Sequence, residues 1–494
     1  MRVLLLNPPV PGRGFTNRDL MGGMGIDDDF GTTLPSQYLA FAKYQGIHIP
    51  VLALGYAAAI LRRAGHSVVV LDQARQDPRE AGVLQAAIDA RPDWVIAATS
   101  LAYFGAELEY LERLRARTGC NRMLVGTTAV HFAAEVGERR GCEAIALGDP
   151  EVAFEHLARG TLEPGVAGAA VRDLSRADTP LVMGKPIFLS DIDQVPLPDW
   201  TGFPLDHYRY HPLLRGRGVA TMLASRGCPY ACSFCPYPIG QGAPFRPRAV
   251  AAVVAEMATL VREHGVHNIL FRDPTFTLDM DRAKTLCRAI AAAKLPVQWG
   301  IETRLDRLDD ELVDLLAAAG CASVTVGLDP VDAHTRRASH RKGYGQDHAK
   351  AMLERLRRRK VASAGLFVVG LPHQTEAELR AGFAWIESTA LTYVAYHQAT
   401  VFPGTALYRE ALAKGWLAPL TLADLMRGEP KLSFNGRIAA ARIRELQDEA
   451  LRRFYRHPKR ALAEVSRGET AQSLAFYGET AARFLLQRLS AEFS

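Results

Sequence analysis

Three cysteines within eight residues form the strongest chemical signal in the sequence. Cys228, Cys232 and Cys235 follow the spacing C-x3-C-x2-C, directly after an apolar run that predicts a strand. Three thiolates on one short loop can hold three corners of a [4Fe–4S] cluster and leave the fourth iron open to a ligand. Zinc is the main alternative, but a structural zinc site normally takes four Cys or His ligands. A third reading is three buried structural cysteines.

The remaining composition is that of an ordinary globular protein. The chain has 494 residues, of which 48% are hydrophobic and 23% are charged, so two to four domains are expected. Seven cysteines, an odd number, argue against a disulfide framework. The net charge of +6 is mild for this length and does not by itself indicate nucleic acid. Since no apolar run approaches the ~18 residues of a membrane helix and no signal peptide is recognisable, we expect a cytoplasmic protein without a transmembrane segment.

Residues 1–160 alternate strand and helix patterns, which predicts an α/β fold with a doubly wound parallel sheet. Strands are predicted at 3–6, 67–71, 94–98, 123–125 and 144–147, with helices at 50–64, 81–90, 106–117 and 131–139. Ligands of such sheets bind at the carboxyl ends of the strands. Those ends carry Asn7, Asp72, Thr99, Gly126 and Gly148.

A second alternating series begins at residue 219. Residues 161–218 are richer in Pro and Gly and are predicted to be a linker. Strands are then predicted at 219–224, 268–271, 297–301, 323–328, 366–369 and 392–399, with helices between them. Six β/α units are too few for a complete barrel of ~250 residues, so residues 219–410 are predicted to form a partial (β/α)6 barrel. Residues 411–494 read as a helical, Arg-rich C-terminal region.

The cysteine motif, with the aromatic Phe234 before its third cysteine and a six-unit β/α series around it, resembles the radical S-adenosylmethionine (SAM) superfamily from about residue 219 to residue 399. The resemblance implies that the open iron chelates the amino and carboxylate groups of SAM. It also implies that an electron, from a donor such as flavodoxin or ferredoxin, cleaves SAM to a 5′-deoxyadenosyl radical that abstracts hydrogen from an unactivated carbon.

The resemblance extends to later strand ends. It implies that Asp273 faces the SAM amino nitrogen, that Glu302 takes the ribose hydroxyls and that Arg304 takes the SAM carboxylate. Gly370 and Pro372 match a turn that packs on adenine in this superfamily, and Phe234 lies in the cluster loop. The segment Gly327-Leu328-Asp329-Pro330 departs from the usual Gly-x-Glu-Ser. The alternative for each position is a strand-end turn, with Asp273 as a helix cap.

Residues 1–160 resemble the cobalamin-binding domain of the cobalamin-dependent radical SAM class. The similarity rests on Leu-Leu-Leu-Asn-Pro-Pro at 4–9, on the Gly-His and Asp that flank the strand at 67–71, and on the turn from Gly148 to Glu151. No histidine has the context Asp-x-His-x-x-Gly, so cobalamin is expected to bind without a histidine on cobalt. The expected cobalamin-binding residues are Asn7, Thr99, Ser100, Leu101, Tyr103, Gly126, Thr127 and Gly148. The alternative is a degenerate Rossmann-like module that binds nothing; nicotinamide binding is disfavoured because G-x-G-x-x-G is missing.

Two such cofactors on one chain favour a C-methyltransferase that acts on an unactivated carbon of a small metabolite or lipid-like substrate. Radical cyclisation or ring rearrangement with cobalamin is the first alternative. An RNA-modifying enzyme is disfavoured, because only Cys120 and Cys142 precede the cluster loop where a second cysteine triad would be needed. No nucleic-acid partner is therefore expected. A non-enzymatic binder or sensor is the last alternative.

The insertion at 21–31 is either a surface loop or part of a substrate lid.

Overall fold

The computed structural model describes residues 1–10, 16–18, 24, 37–38, 41–42, 46–72, 80–139, 141–176, 179–328, 330–341, 343–427, 435–457, 478–482 and 484. Apart from Met24, the insertion at 21–31 lies outside the described residues, and so does Asp329. Within the described part of the chain, no helix is both long enough and apolar enough to cross a bilayer.

The N-terminal strands, in chain order, are β1 (Arg2–Asn7), β2 (Ile47–His48), β3 (Ser67–Asp72), β4 (Trp94–Ala98), β5 (Asn121–Val125), β6 (Ala144–Ala146), β7 (Ala169–Arg172), β8 (Leu181–Met183) and β9 (Arg209–Tyr210). The helices among them are α1 (Leu52–Arg63), α2 (Glu80–Asp89), α3 (Phe104–Thr118), α4 (Thr127–His131), α5 (Ala133–Glu138) and α6 (Glu151–Arg159). Seven strands form one sheet in the order β3-β1-β4-β5-β6-β7-β8, parallel from β3 to β6. The predicted doubly wound sheet is confirmed.

Apolar burial on both faces explains why β1 reads as a continuous hydrophobic run. Val3 and Leu5 belong to one apolar core, whereas Leu4 and Leu6 belong to another on the opposite face of the sheet. Parallel strands covered on both sides have this composition. The core that contains Val3 continues into the second domain, so the two domains share one apolar interior.

The segment 161–218, predicted to be a linker, contributes to both domains. β7 and β8 lie in it and extend the first sheet in antiparallel fashion. The side chains of Trp200 and Tyr208 are buried in the core that the two domains share. The sequence pattern missed these strands because they are short and because two β8 residues, Val182 and Met183, are exposed, so the strand lacks a buried apolar period.

The second domain is built on a six-stranded parallel sheet in the order β10-β13-β14-β15-β16-β17. These strands are β10 (Val219–Met222), β13 (Asn268–Phe271), β14 (Gln298–Arg304), β15 (Cys321–Leu328), β16 (Ala362–Val369) and β17 (Tyr393–Gln398); the two-stranded ribbon β11 (Ser225–Arg226) and β12 (Arg246–Pro247) lies beside them. The helices are α7 (Tyr237–Gln241), α8 (Val250–His264), α9 (Met280–Ala293), α10 (Asp310–Ala318), α11 (Ala333–Ala338), α12 (Gln346–Arg358) and α13 (Glu376–Glu387). β10 and β17 are edge strands that do not pair with each other, as the predicted partial barrel requires.

The C-terminal helices contact both domains. They are α14 (Ala406–Ala413), α15 (Leu422–Met426) and α16 (Ala440–Tyr455). α15 packs so closely on α3 that a Cβ atom at Gly105 would lie 2.5 Å from the Leu425 carbonyl oxygen. On the other side, the Tyr455 hydroxyl of α16 donates a hydrogen bond of 2.9 Å to the carbonyl of Val394 in β17. The described part of this region is helical, as predicted, and it joins the first domain to the second.

Candidate active site

The cysteine motif lies on a loop that leaves the second domain after β10 and returns through the β11–β12 ribbon. Cys228 is almost fully buried, whereas Cys232 and Cys235 are partly exposed. The amide of Cys235 donates to the carbonyl of Cys232 at 3.1 Å, which folds the second half of the motif into a turn. The amide of Cys228 donates to the Gly242 carbonyl at 3.2 Å and ties the first half to the returning chain.

At least two of the three sulfur atoms lie farther apart than two ligands of one zinc ion would. Among the described residues, three potential ligand atoms come within 4.8 Å of one another at Asp332, His334 and Glu378, and not at the three cysteines. With Zn–S bonds of about 2.3 Å, tetrahedral zinc would bring its sulfur ligands to about 3.8 Å from one another. Asp332 already accepts a hydrogen bond from the amide of Thr335 in the first turn of α11, and Glu378 accepts one from the amide of Thr375, the N-cap of α13.

Burial and neighbouring positive charge act in opposite directions on the thiols of the loop. Burial raises the pKa of the Cys235 thiol to about 12 and also raises the pKa of Cys228. Positive charge on Arg341 opposes the shift at Cys235, and Arg304 opposes it at Cys228. Metal binding to such thiols releases protons, because the ligand is the thiolate.

Asp273, at the end of β13, is fully buried beside the start of the cysteine loop. Its carboxylate accepts hydrogen bonds from the amide of Ala224, at 3.0 Å, and from the hydroxyl of Ser225. Burial raises the pKa of Asp273 to about 6, although these two hydrogen bonds lower it. The structure therefore gives Asp273 a role in holding the segment that leads into the cysteines. Two of its acceptor positions are used in this way, and a carboxylate offers about four.

Glu302 lies at the end of β14 in a polar cluster with Arg272 and Tyr237. Its carboxylate pairs with the Arg272 guanidinium and accepts a hydrogen bond of 3.2 Å from the Tyr237 hydroxyl. Tyr237 opens α7, two residues after Cys235, so the cluster connects the strand ends to the cysteine loop. Burial and the negative charge on Glu302 hold the pKa of Tyr237 well above its ordinary value.

Arg304 lies near the cysteines, whereas Gly370 and Pro372 lie at the end of β16. The guanidinium of Arg304 pairs with Asp306 at 2.8 Å and stacks 4.5 Å from the ring centroid of Tyr230. Gly370 has a φ of +78°, which favours glycine, and a Cβ there would lie 2.8 Å from Ile443 of α16. Phe234 is partly buried, with the Arg341 guanidinium 5.9 Å from its ring centroid.

A cavity of about 440 Å³ lies between the two domains. One side is formed by the carboxyl ends of β4, β5 and β6 and by α1. The other side is formed by the end of β10, the β11 strand and α7. Sites at this edge of a parallel sheet are where doubly wound folds bind ligands.

Half of the predicted cobalamin-binding residues line this cavity, namely Thr99, Gly126, Thr127 and Gly148. Asn7, Ser100, Leu101 and Tyr103 are not part of the lining. Asn7 donates to Asp72 at 3.1 Å, and Ser100 donates to Glu107 through its amide and its hydroxyl. The amide of Leu101 donates to the carbonyl of Met24, and Tyr103 precedes the first turn of α3.

Comparison with known proteins identifies the second domain. Residues 222–386 match the radical SAM superfamily. This part of the chain is a radical SAM domain. The matched residues contain the cysteine motif and run from the end of β10 into α13, so the predicted superfamily membership is confirmed.

Curated relatives of this chain include methyltransferases. An uncharacterized methyltransferase of Pyrococcus horikoshii is 25% identical over 87% of this chain and 93% of its own length. The cytidylyl-2-hydroxyethylphosphonate methyltransferase of Streptomyces wedmorensis is 24% identical over 74% of this chain and 79% of its own length. An anaerobic magnesium-protoporphyrin IX monomethyl ester cyclase of Cereibacter sphaeroides is 29% identical over 45% of this chain and 36% of its own length.

Solved structures with the same fold cover both domains. The radical SAM methyltransferase TsrM from Kitasatospora setae, solved with cobalamin and a [4Fe–4S] cluster, superimposes with a TM-score of 0.67 at 20% identity over 93% of this chain and 89% of its own. The cobalamin-dependent radical SAM enzyme OxsB gives a TM-score of 0.65 at 15% identity over 88% of this chain and 64% of its own. The predicted combination of a Rossmann-like domain with a partial barrel is thus confirmed as a fold.

Several residues at the site were not predicted. Arg18 and Tyr56 line the cavity from the first domain, whereas Arg226 and Arg272 line it from the radical SAM domain. Arg226 stands two residues before the first cysteine, so its position in the sequence was a usable signal. Arg18 had no such signal, because its partners Asn7 and Glu107 are set by the fold.

Proposed function

We propose that this radical SAM enzyme is a cobalamin-dependent C-methyltransferase that acts on an unactivated carbon of a small metabolite or lipid-like substrate. The interdomain cavity carries the proposal, because it opens on the strand ends of the first domain and on the base of the cysteine loop. Reactants held on its two sides would meet in one water-poor space, and such positioning is the protein's main contribution to cofactor chemistry. The methyltransferases among the full-length relatives support the same reaction class.

In this proposal Cys228, Cys232 and Cys235 hold a [4Fe–4S] cluster. SAM is contacted by residues at the barrel strand ends and in the cluster loop, namely Phe234, Asp273, Glu302, Arg304, Gly370 and Pro372. Cobalamin lies against the cavity wall that Thr99, Gly126, Thr127 and Gly148 form. When bound, these groups supply hydrogen abstraction and methyl transfer. The chain itself orients them, places the Arg304 and Arg341 charges beside the thiolates, and excludes water.

Radical cyclisation with the same cofactors is the second candidate. The similarity to the cyclase of Cereibacter sphaeroides favours it, although that match covers 45% of this chain. Both reactions need electrons, so we infer a donor such as flavodoxin or ferredoxin and a location in the cytoplasm, where such donors reduce iron–sulfur proteins.

The two candidates differ in how SAM is consumed. The enzyme is reconstituted anaerobically with iron, sulfide and cobalamin and is incubated with SAM that carries a deuterated methyl group and with a pool of candidate small molecules. A methyltransferase yields equal amounts of S-adenosylhomocysteine and 5′-deoxyadenosine and puts the label into product. A cyclase yields 5′-deoxyadenosine without matching S-adenosylhomocysteine, and an unlabelled true product would refute the methyltransferase. Cys232→Ala is the control that should form no 5′-deoxyadenosine.

A further inference from the structure

The cysteine loop enters and leaves through a single narrow ribbon. β11 and β12 pair in antiparallel fashion, Ser225 with Pro247 and Arg226 with Arg246, and all three cysteines lie on the chain between them. At Gly227 the backbone φ is +82°, and a Cβ atom there would lie 1.9 Å from the Pro244 carbonyl oxygen. The two arms of the loop are therefore in close contact at their base. Contacts that fix the position of the ribbon therefore also fix the position of the three cysteines.

The ribbon is fixed to the first domain by two buried arginines. Arg226 pairs with Glu151 at 2.7 Å and with Asp149 at 3.2 Å. Arg246 pairs with the same Asp149 and also donates to the carbonyl of Leu189 at 2.7 Å. The four charged side chains are at most 6% exposed. We call Asp149, Glu151, Arg226 and Arg246 the interdomain ion network.

Arg226 is enclosed on the first-domain side by an aromatic ring as well as by the two carboxylates. Its guanidinium lies 5.2 Å from the ring centroid of Tyr56 in α1, a distance at which cation–π attraction contributes. Burial disfavours the charged form, yet Glu151, Tyr56 and Asp149 hold the pKa of Arg226 well above its ordinary value. The Arg226 guanidinium thus stays charged, and the three side chains that surround it, Glu151, Tyr56 and Asp149, all belong to the first domain.

The network also forms part of the cavity wall. Asp149 and Glu151 follow the carboxyl end of β6, and both line the interdomain cavity together with Arg226. Two arginines and two carboxylates balance in charge. Removing one member would leave the network with one buried charge in excess, which proteins tolerate poorly, so the network resists rearrangement.

We propose that Asp149, Glu151, Arg226 and Arg246 are positioning residues that hold the cysteine loop at a fixed distance from the cobalamin-type domain. The link to the chemistry rests on the proposed function, since the distance that matters is the one between the two cofactors. The turn from Gly148 to Glu151 therefore serves to dock the radical SAM domain.

Glu151→Gln tests the proposal against Glu143→Gln. Glu143 forms an equally buried pair with Arg122, 2% exposed on both sides, but that pair lies within the first domain. Hydrogen exchange measured by mass spectrometry on the reconstituted holoenzyme reports local opening. Glu151→Gln should speed exchange about tenfold or more in peptides covering β11, β12 and the turn after β6, since it leaves the buried Arg226 and Arg246 sharing the single carboxylate of Asp149. Glu143→Gln should speed exchange only around β5 and β6.

A second measurement follows the cofactors. Electron-spin relaxation of Co(II) by the reduced cluster reports the distance between cobalt and the cluster. Glu151→Gln should lengthen that distance or broaden its distribution. The iron content of this variant should equal that of the Glu143→Gln variant. The double variant Arg226→Gln with Glu151→Gln removes both charges and leaves Asp149 paired with Arg246. It should regain thermal stability relative to Glu151→Gln but keep the altered distance, which a purely structural role does not predict.

Equal exchange at the ribbon in the Glu151→Gln and Glu143→Gln variants would overturn the proposal, as would an unchanged distance between the cofactors. If Glu151→Gln does not yield soluble protein, Arg246→Lys replaces it, because lysine keeps the charge but lacks the second nitrogen with which the Arg246 fork reaches the other Asp149 oxygen and the Gln241 carbonyl. If the enzyme binds no cobalamin, the proposed function fails, and the exchange measurement still decides on the network.

Discussion

At the scale of single residues, the three cysteines of the loop share a position that Cys287 and Cys321 do not have. Cys287 and Cys321 are buried in the apolar core, and burial raises the pKa of both thiols. Arg304 and Arg341 place positive charge next to Cys232. Positive charge beside a thiol favours the thiolate, which is the form that binds metal.

Replacing any one of Cys228, Cys232 and Cys235 with Ala should abolish cluster assembly and SAM cleavage, because three thiolates are the smallest set that holds a site-differentiated cluster. Iron content and 5′-deoxyadenosine formation measure the effect. Cys287→Ala is the matched control: it should keep full iron and lose only about 1 kcal/mol of stability through the small cavity it creates. Full iron in Cys232→Ala would contradict the assignment.

Asp273 should make stability depend on pH. Burial raises its pKa to about 6 in the folded state, above the unfolded value of about 3.9. The folded protein therefore binds this proton more tightly, so the stability that Asp273 contributes is complete below about pH 4 and declines as pH rises through about 6. The total decline is at most about 3 kcal/mol.

Denaturant unfolding of the iron-free protein between about pH 4.5 and 7 checks this dependence, with Asp273→Asn as the comparison. Asn keeps an acceptor for Ala224 and does not titrate. The wild-type free energy of unfolding should fall relative to that of Asp273→Asn as pH rises. If the free energies of unfolding of the two proteins changed with pH in parallel, the pKa of Asp273 would be the same in the folded and unfolded states.

At the scale of elements, periodicity located almost every strand of the two parallel sheets. β4 and β13 were predicted with their observed bounds, since each is a short apolar run between polar turns. The pattern predicted one helix at 131–139 where the structure has α4 and α5, because Phe132 lies outside helical geometry between them. β8 was missed because an antiparallel strand at the edge of a sheet, with exposed side chains, has no distinctive local composition, and β7 was missed because it has only four residues.

The candidate site was predictable only where its chemistry is local in sequence. The cysteine spacing is such a case. The pairing of Arg226 with Glu151 spans 75 positions, and that of Arg246 with Asp149 spans 97. Side chains brought together over such distances leave no periodic signal, because the partner is chosen by how the domains dock. The same reason hid Arg18 and the contacts of Glu302, a predicted site residue, with Arg272 and Tyr237.

The ribbon that closes the cysteine loop predicts a strong effect at Gly227. Gly227→Ala places a methyl group where the Pro244 carbonyl oxygen lies, so the loop should open and the protein should lose its iron. Gly216→Ala is the control, since Gly216 has a similar φ of +84° but open space around a Cβ. That variant should lose only about 1–2 kcal/mol of stability from the left-handed backbone and keep its iron. Equal iron content in the two variants would show that the close approach of Gly227 to the Pro244 carbonyl oxygen is not what holds the loop closed around the iron.

At the scale of the whole molecule, one apolar core runs through both domains and α15 packs the C-terminal region onto α3. A rigid connection of this kind is what a cavity shared between domains requires. The lining of that cavity bears on how cobalamin would bind. Among the described residues that line it, none is a histidine. His131, the last residue of α4, instead places its ring 5.7 Å from that of Tyr408 in α14.

We therefore expect cobalamin bound to this enzyme to have no protein histidine on cobalt. The test is electron paramagnetic resonance of the Co(II) form, prepared from protein labelled uniformly with nitrogen-15 and from unlabelled cobalamin. A protein imidazole on cobalt would split each cobalt line into doublets in the labelled sample and into triplets in the unlabelled one. Identical splitting in the two samples is the expected result, and His131→Ala should leave the spectrum unchanged. A doublet pattern would place a protein nitrogen on cobalt and would require the cavity wall to rearrange around it.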